Sequence, residues 1–127
     1  MPVTTLLKIL VIEDDPLTAS QITSNLSGLG WSVDFAASGK AALKQQQQQR
    51  YDVILLDTTL PDMCPKEVYA QVKREQGSAT PVLCMRTDTF DSSLQHTDDI
   101  IPDVSDVKDI IARCQAAVSS TAYSASA

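Results

Sequence analysis

The sequence predicts an α/β domain, a doubly wound five-stranded parallel sheet with helices on both faces. Two observations carry that expectation. Short apolar runs rich in β-branched residues alternate with helix-forming stretches along the chain, and parallel neighbours need such crossover helices. The runs are near-continuously apolar, as in strands covered on both faces. With 127 residues, 43% of them hydrophobic, the chain can bury one core but is too short for two ordinary domains.

Leu6 to Ile12 is the first strand-like run, interrupted only by Lys8. Glu13, Asp14 and Asp15 end it, and Pro16 suits a first helical position behind an Asp15 cap. Leu17, Ile22, Leu26 and Leu29 then give a helical stripe that stops at Gly28 and Gly30. The alternation repeats with Trp31 to Ala36 as a strand, Gly39 to Arg50 as a helix, Val53 to Leu56 as a buried strand and Pro65 to Arg74 as a helix. Pro81 to Met85 forms a fourth strand, followed by a weak segment through Leu94, a short fifth strand near Ile100 and Ile101, and a helix from about Ser105 to Val118. Gln45 to Gln49 lies inside a helical pattern beside Ala41, Ala42 and Leu43 and reads as a solvated helix face. The expected strand order is 2-1-3-4-5, flavodoxin-like. The domain spans residues 1–118, and the small, polar segment 119–127 is expected to be a flexible tail that carries no output domain.

Ten Lys and Arg against sixteen Asp and Glu leave a formal charge of -6, which repels phosphate backbones and anionic lipid. Nucleic-acid binding by this chain is therefore not expected. Met1 to Lys8 contains no basic segment leading into a long apolar run, and no stretch approaches the roughly 20 apolar residues that span a bilayer. The expected location is the cytoplasm, with no membrane partner. Cys64, Cys84 and Cys114 are odd in number and share no short ligand spacing, so they read as reduced thiols that fill space.

In an open parallel sheet, ligands bind beyond the carboxyl ends of the strands, where the strand order reverses, here between the first and third strands. Those ends carry acids. Glu13 and Asp14 directly follow Ile9 to Ile12, and Asp57 directly follows Val53 to Leu56, so carboxylates distant in sequence should converge. Three clustered carboxylates repel one another, and a hard divalent cation with oxygen ligands neutralises them. Mg²⁺ fits, because it keeps waters and accepts a phosphoryl oxygen alongside two or three protein oxygens. Phosphoryl transfer onto Asp57 follows as the chemistry, with the protein supplying alignment and charge neutralisation.

The stretch Lys8-Ile-Leu-Val-Ile-Glu-Asp-Asp-Pro16, followed by Tyr51-Asp-Val-Ile-Leu-Leu-Asp-Thr-Thr-Leu-Pro-Asp-Met63, resembles the CheY-like receiver domain of two-component response regulators over nearly the whole chain. The resemblance implies that Glu13 and Asp14 help bind magnesium, that Asp57 is phosphorylated, and that Thr59 completes the metal site with its backbone carbonyl. Pro61 matches the proline of the loop after the acceptor. The implied partners are a histidine kinase or a phosphotransfer protein, with a downstream protein target; a homodimer is among the states the sequence allows.

The family's switch pattern is broken. Receivers usually place Ser or Thr at the end of the fourth strand and Lys at the end of the fifth. Here Arg86 stands at the hydroxyl position, Thr87 comes one residue late, and Asp103 replaces the lysine. Unit charges about 4 Å apart interact by about 4 kcal/mol at an effective dielectric of 20, so an inward Asp103 opposes phosphate. Arg86 would relieve that conflict by pairing with Asp103, the expected ion pair, or by reaching the phosphoryl oxygens itself, and two independent solvated charges are the alternative. The link from Thr87 to Thr97 is shorter than receivers usually show, so the helix between the fourth and fifth strands is expected to be short or absent. His96, alone in that link, is expected to be exposed. Cys64 and Pro65 stand where the family commonly has Asp-Gly.

The leading function is a phosphoacceptor receiver, a signalling domain rather than an enzyme. A phosphorylation-independent pseudo-receiver, used as a protein-interaction module, is the second reading and rests on the switch positions. A third makes Asp57 the nucleophile of a haloacid-dehalogenase-like phosphatase. That motif wants a second Asp two residues on, where Thr59 stands and cannot serve as acid or base.

Overall fold

The computed structural model describes residues 6–58, 60–77, 80–85, 99–101 and 106–126. Strand β1 (Lys8–Ile12) leads into helix α1 (Pro16–Ser27), and β2 (Ser32–Ala36) into α2 (Gly39–Gln48). They are followed by β3 (Val53–Asp57), α3 (Pro65–Gln76), β4 (Val82–Met85), β5 (Asp99–Ile101) and α4 (Val107–Ser126). The sheet is parallel, in the order β2-β1-β3-β4-β5, as the alternation of elements predicts.

Strand side chains alternate between two cores, which is why the strands are apolar at nearly every position. Ile9, Val11, Val53, Leu55, Leu83, Met85 and Ile101 point to one face, where Ile22 and Leu26 of α1 and Ile110 and Cys114 of α4 cover them. Leu10, Ile12, Ile54, Leu56, Val82 and Cys84 point to the other, beneath Ala42 of α2 and Val68 and Val72 of α3.

Helix starts follow local chemistry. The Asp15 side chain accepts from Leu17 N at 3.3 Å, and Pro16 supplies a φ already suited to the first turn. Ser38 caps α2 by accepting from Ala41 N at 3.1 Å. Gly30 has φ 86°, and its left-handed backbone turns the chain from α1 into β2.

Four expectations are corrected. In α1 the buried residues are Thr18, Ala19, Ile22 and Leu26, whereas Leu17 and Leu29 are exposed; at the very ends of the helix an apolar residue falls outside the stripe. Gln46 is buried at 2% exposure, so the glutamine run is not wholly a solvated face. Cys64 is exposed and fills no core space, unlike Cys84 and Cys114, the latter with its thiol pushed up to about 12 by burial. Helix α4 runs to Ser126 instead of ending near Val118. The segment beyond Val118 lacks an apolar period, but it also lacks Gly and Pro, and Ala122 and Ala125 favour helix. The link expected to hold a short or absent helix, with His96, lies outside the described residues. No helix among the described residues is long and apolar enough to cross a membrane.

Candidate metal centre

The carboxyl ends of β1 and β3 lie side by side, with Ile12 opposite Leu56. Glu13 extends the ladder past β1, its N–H donating to Ala36 O at 3.0 Å, and its side chain is fully buried. Asp57 is the last residue of β3, one beyond the expected end, and sits opposite Met85 of β4, also fully buried. Asp14 is the exposed member of the group. One carboxylate oxygen from each of Glu13, Asp14 and Asp57 lies within 4.8 Å of the others.

Packing three acids this closely has an electrostatic cost, and it is visible on Asp14. A hydrogen bond shared with Asp57, then burial, then the Asp57 charge hold its carboxyl above the usual carboxylate range. The donor set suits a hard divalent cation. Octahedral ligands at about 2.1 Å stand at most about 4.2 Å apart, within a small side-chain adjustment of the observed cluster, and the exposed flank at Asp14 leaves room for water and a substrate oxygen. Asp15 does not join the cluster; its carboxylate accepts from Leu17 N and, at 2.6 Å, from Thr18 Oγ1.

The loop after Asp57 is tethered repeatedly. Thr58 donates to Met85 O through both its N–H, at 3.3 Å, and its Oγ1, at 3.0 Å, tying the acid's strand to the end of β4. Leu60 is buried in the α2/α3 core. The Asp62 carboxylate then accepts from Gly39 N at 2.9 Å and Lys40 N at 3.0 Å, the first two amides of α2. Those amides hold the Asp62 carboxyl below its usual range. Sequence reasoning missed both Thr58 and Asp62. Thr58 reads as a strand end and Asp62 as a turn acid, and in each case the partner lies more than twenty residues away, where no local pattern reaches.

Glu13, Asp14 and Asp57 are thus brought together as expected. Thr59, Arg86, Thr87 and Asp103 lie outside the described residues, and with them the expected Arg86–Asp103 ion pair.

Comparison with known proteins agrees with this fold. The family described as "Response regulator receiver domain" matches residues 9–101. Response regulator ArlR of Staphylococcus saprophyticus is 31% identical over 112 residues, which cover 86% of this chain and 51% of the relative. The chain spans about half the length of the curated relatives it matches over that range. Among solved structures, a CheY-like receiver domain protein of Methanospirillum hungatei shares the fold at a TM-score of 0.87 and 17% identity, covering 94% of this chain and 99% of that one. The receiver domain of a sensor histidine kinase from Pseudomonas aeruginosa, solved with a magnesium ion in its active-site cleft, has a TM-score of 0.73 and 25% identity, covering 86% and 97%.

Proposed function

The chain belongs to the response regulator receiver domain family, and from that premise we propose that it accepts a phosphoryl group on Asp57 from a histidine kinase or a phosphotransfer protein. The observation that carries this reading is the convergence of Glu13, Asp14 and Asp57, from the ends of two neighbouring strands, to within 4.8 Å. A receiver fold without metal chemistry has no evident physical use for two fully buried carboxylates facing a third.

Glu13, Asp14 and Asp57, with the backbone carbonyl of Thr59, are the ligands proposed for Mg²⁺, which when bound supplies charge neutralisation for the acids and the incoming phosphoryl oxygens. Asp57, fixed by β3, presents a carboxylate oxygen to phosphorus. An O–P bond forms there as the donor's bond to phosphorus breaks, and the donor leaves with that electron pair. Glu13 and Asp14 take no part in bond making; they hold charge and geometry. Output passes through protein contacts, with Arg86, Thr87 and Asp103 as the proposed, atypical switch positions. The domain is proposed to be cytoplasmic, to act over residues 1–118, and to be a phosphoacceptor and not a turnover enzyme.

The test is to incubate the protein with Mg²⁺ and acetyl phosphate beside an Asp57→Asn control and to measure intact mass. The expected result is one added phosphoryl group that requires both Mg²⁺ and Asp57. A folded protein that gains none is instead a pseudo-receiver, the reading that the Arg86 and Asp103 substitutions favour.

A further inference from the structure

Asp62 spans from the acceptor loop to a helix that contributes no residue to the acid cluster. Its two carboxylate oxygens take separate amides of α2, Gly39 N and Lys40 N, while Ser38 takes the third at Ala41 N. The amino end of α2 is therefore capped by two segments at once, and only one of them is local. The second point of attachment is steric. A Cβ at Gly39 would lie 2.8 Å from both Cβ and Sδ of Met63, so the loop and the helix approach closely only because residue 39 is glycine. Charge-assisted hydrogen bonds and backbone contact thus meet at adjacent positions on both partners.

We propose that this clasp, Asp62 on the α2 amides with Met63 on Gly39, makes Asp62 a positioning residue for the divalent-cation site. The proposal rests on the metal-dependent reading above and deepens it. Asp57 itself is held by β3, and among the described residues the loop that follows it is anchored by Thr58 on Met85 O at one end, by the buried Leu60, and by the α2 clasp at the other. The position assigned the carbonyl ligand, Thr59, falls between these anchors. Releasing the α2 clasp frees the distal half of the loop and adds an ordering cost to every cation-binding event. Asp62 touches neither the cation nor the reacting atoms, so the effect should fall on the metal concentration required and not on the rate at saturation.

The experiment measures direct Mg²⁺ affinity by calorimetry, with the Mg²⁺ dependence of acetyl phosphate labelling alongside, for wild type, Asp62→Ala, Asp62→Asn, Gly39→Ala and the double variant Gly39→Ala/Met63→Gly. Asp62→Ala is expected to weaken Mg²⁺ binding by about 3- to 10-fold, below the roughly 10- to 100-fold typical of partners bonded directly to a ligand, with labelling at saturating Mg²⁺ nearly unchanged. Asp62→Asn, which keeps one acceptor oxygen, should fall between. Gly39→Ala should weaken binding although every cap residue remains, and Met63→Gly in that background, which removes both the Cβ and the Sδ that the new methyl meets, should partly restore it. Unchanged Mg²⁺ affinity across the set, with only a lowered melting temperature, overturns the proposal and leaves the clasp as a stability feature. If wild type binds Mg²⁺ but takes no phosphate, the acceptor reading fails while the affinity series still decides the role of Asp62. If wild type binds no Mg²⁺, both fall.

Discussion

The two ends of the sheet handle buried polarity in opposite ways. At the amino ends of the strands, Gln76 at the close of α3 is 4% exposed, and its side chain is matched group for group. Its Oε1 accepts from Tyr51 N at 3.0 Å, and its Nε2 donates to Gln49 O at 2.7 Å and to Gln46 O. Nearby, Tyr51 OH donates to Asp34 at 2.7 Å, and burial with that partner pushes the phenol up. Donor meets acceptor throughout. At the carboxyl ends, by contrast, carboxylate faces carboxylate: Glu13 and Asp57 are fully buried and stand with Asp14 in one cluster. A network that closes on itself stabilises a fold. A cluster of carboxylates carries a like-charge repulsion that an added cation relieves, which is a condition that favours a binding site.

On that division, the largest effect comes from breaking the closed end. Gln76→Leu keeps the volume but removes the acceptor for Tyr51 N and the donors for two carbonyls. It is expected to cost about 3 kcal/mol, or a melting temperature lower by about 10 °C. Mg²⁺ affinity should stay within about 2-fold, because distant sites act additively. Thermal melts with parallel Mg²⁺ titrations check both, and a matching loss of Mg²⁺ affinity would show that the two ends are not independent.

The next effect belongs to the open end. Mg²⁺ at about 100 times its Kd should stabilise the protein by about 2.7 kcal/mol, and by the same increment in Gln76→Leu. In Glu13→Gln, which removes one charge from the cluster, the increment should shrink sharply. Chemical denaturation with and without Mg²⁺ measures all three. An undiminished gain in Glu13→Gln would remove Glu13 from the site.

The contrast also explains what the sequence made legible. The two-faced apolar runs announced the parallel sheet, and the acids at the ends of the first and third runs announced the cluster, because strand ends at a switch point meet whatever the loops do. The closed end was hidden. Gln76 sits in a polar helix tail and Gln46 in a glutamine run, and nothing local distinguishes a buried amide from a solvated one when its partners lie on another helix. Asp62 was hidden for the same reason, its amides being on α2. Leu17 misled in the other direction: its hydrophobicity suggested a core position, but at the first turn of α1 it projects away from the sheet.

The smallest effects test whether two acids at the same end differ in kind. Asp14 is held above its usual range by the bond to Asp57, by burial and by the Asp57 charge, so the metal-free fold binds that proton more tightly than the unfolded chain does. The stability tied to that proton is present below the unfolded value of 3.8 and disappears as pH rises through the raised folded value. Asp14→Asn should therefore raise the metal-free melting temperature by a few degrees at pH 7 and leave it unchanged near pH 3. Asp62 is held low by the α2 amides, so its contribution is present above 3.8 and is lost as pH falls through the lowered folded value. Asp62→Asn should therefore lower the melting temperature at pH 7, and the difference should fade in acid. Saturating Mg²⁺ should reverse the sign for Asp14→Asn, which then lacks a ligand, and should leave Asp62→Asn destabilised. Melts at pH 3 and pH 7, with and without Mg²⁺, separate an acid kept for its charge on a cation from one kept for its bond to a helix. Equal pH responses in the two variants would erase that distinction.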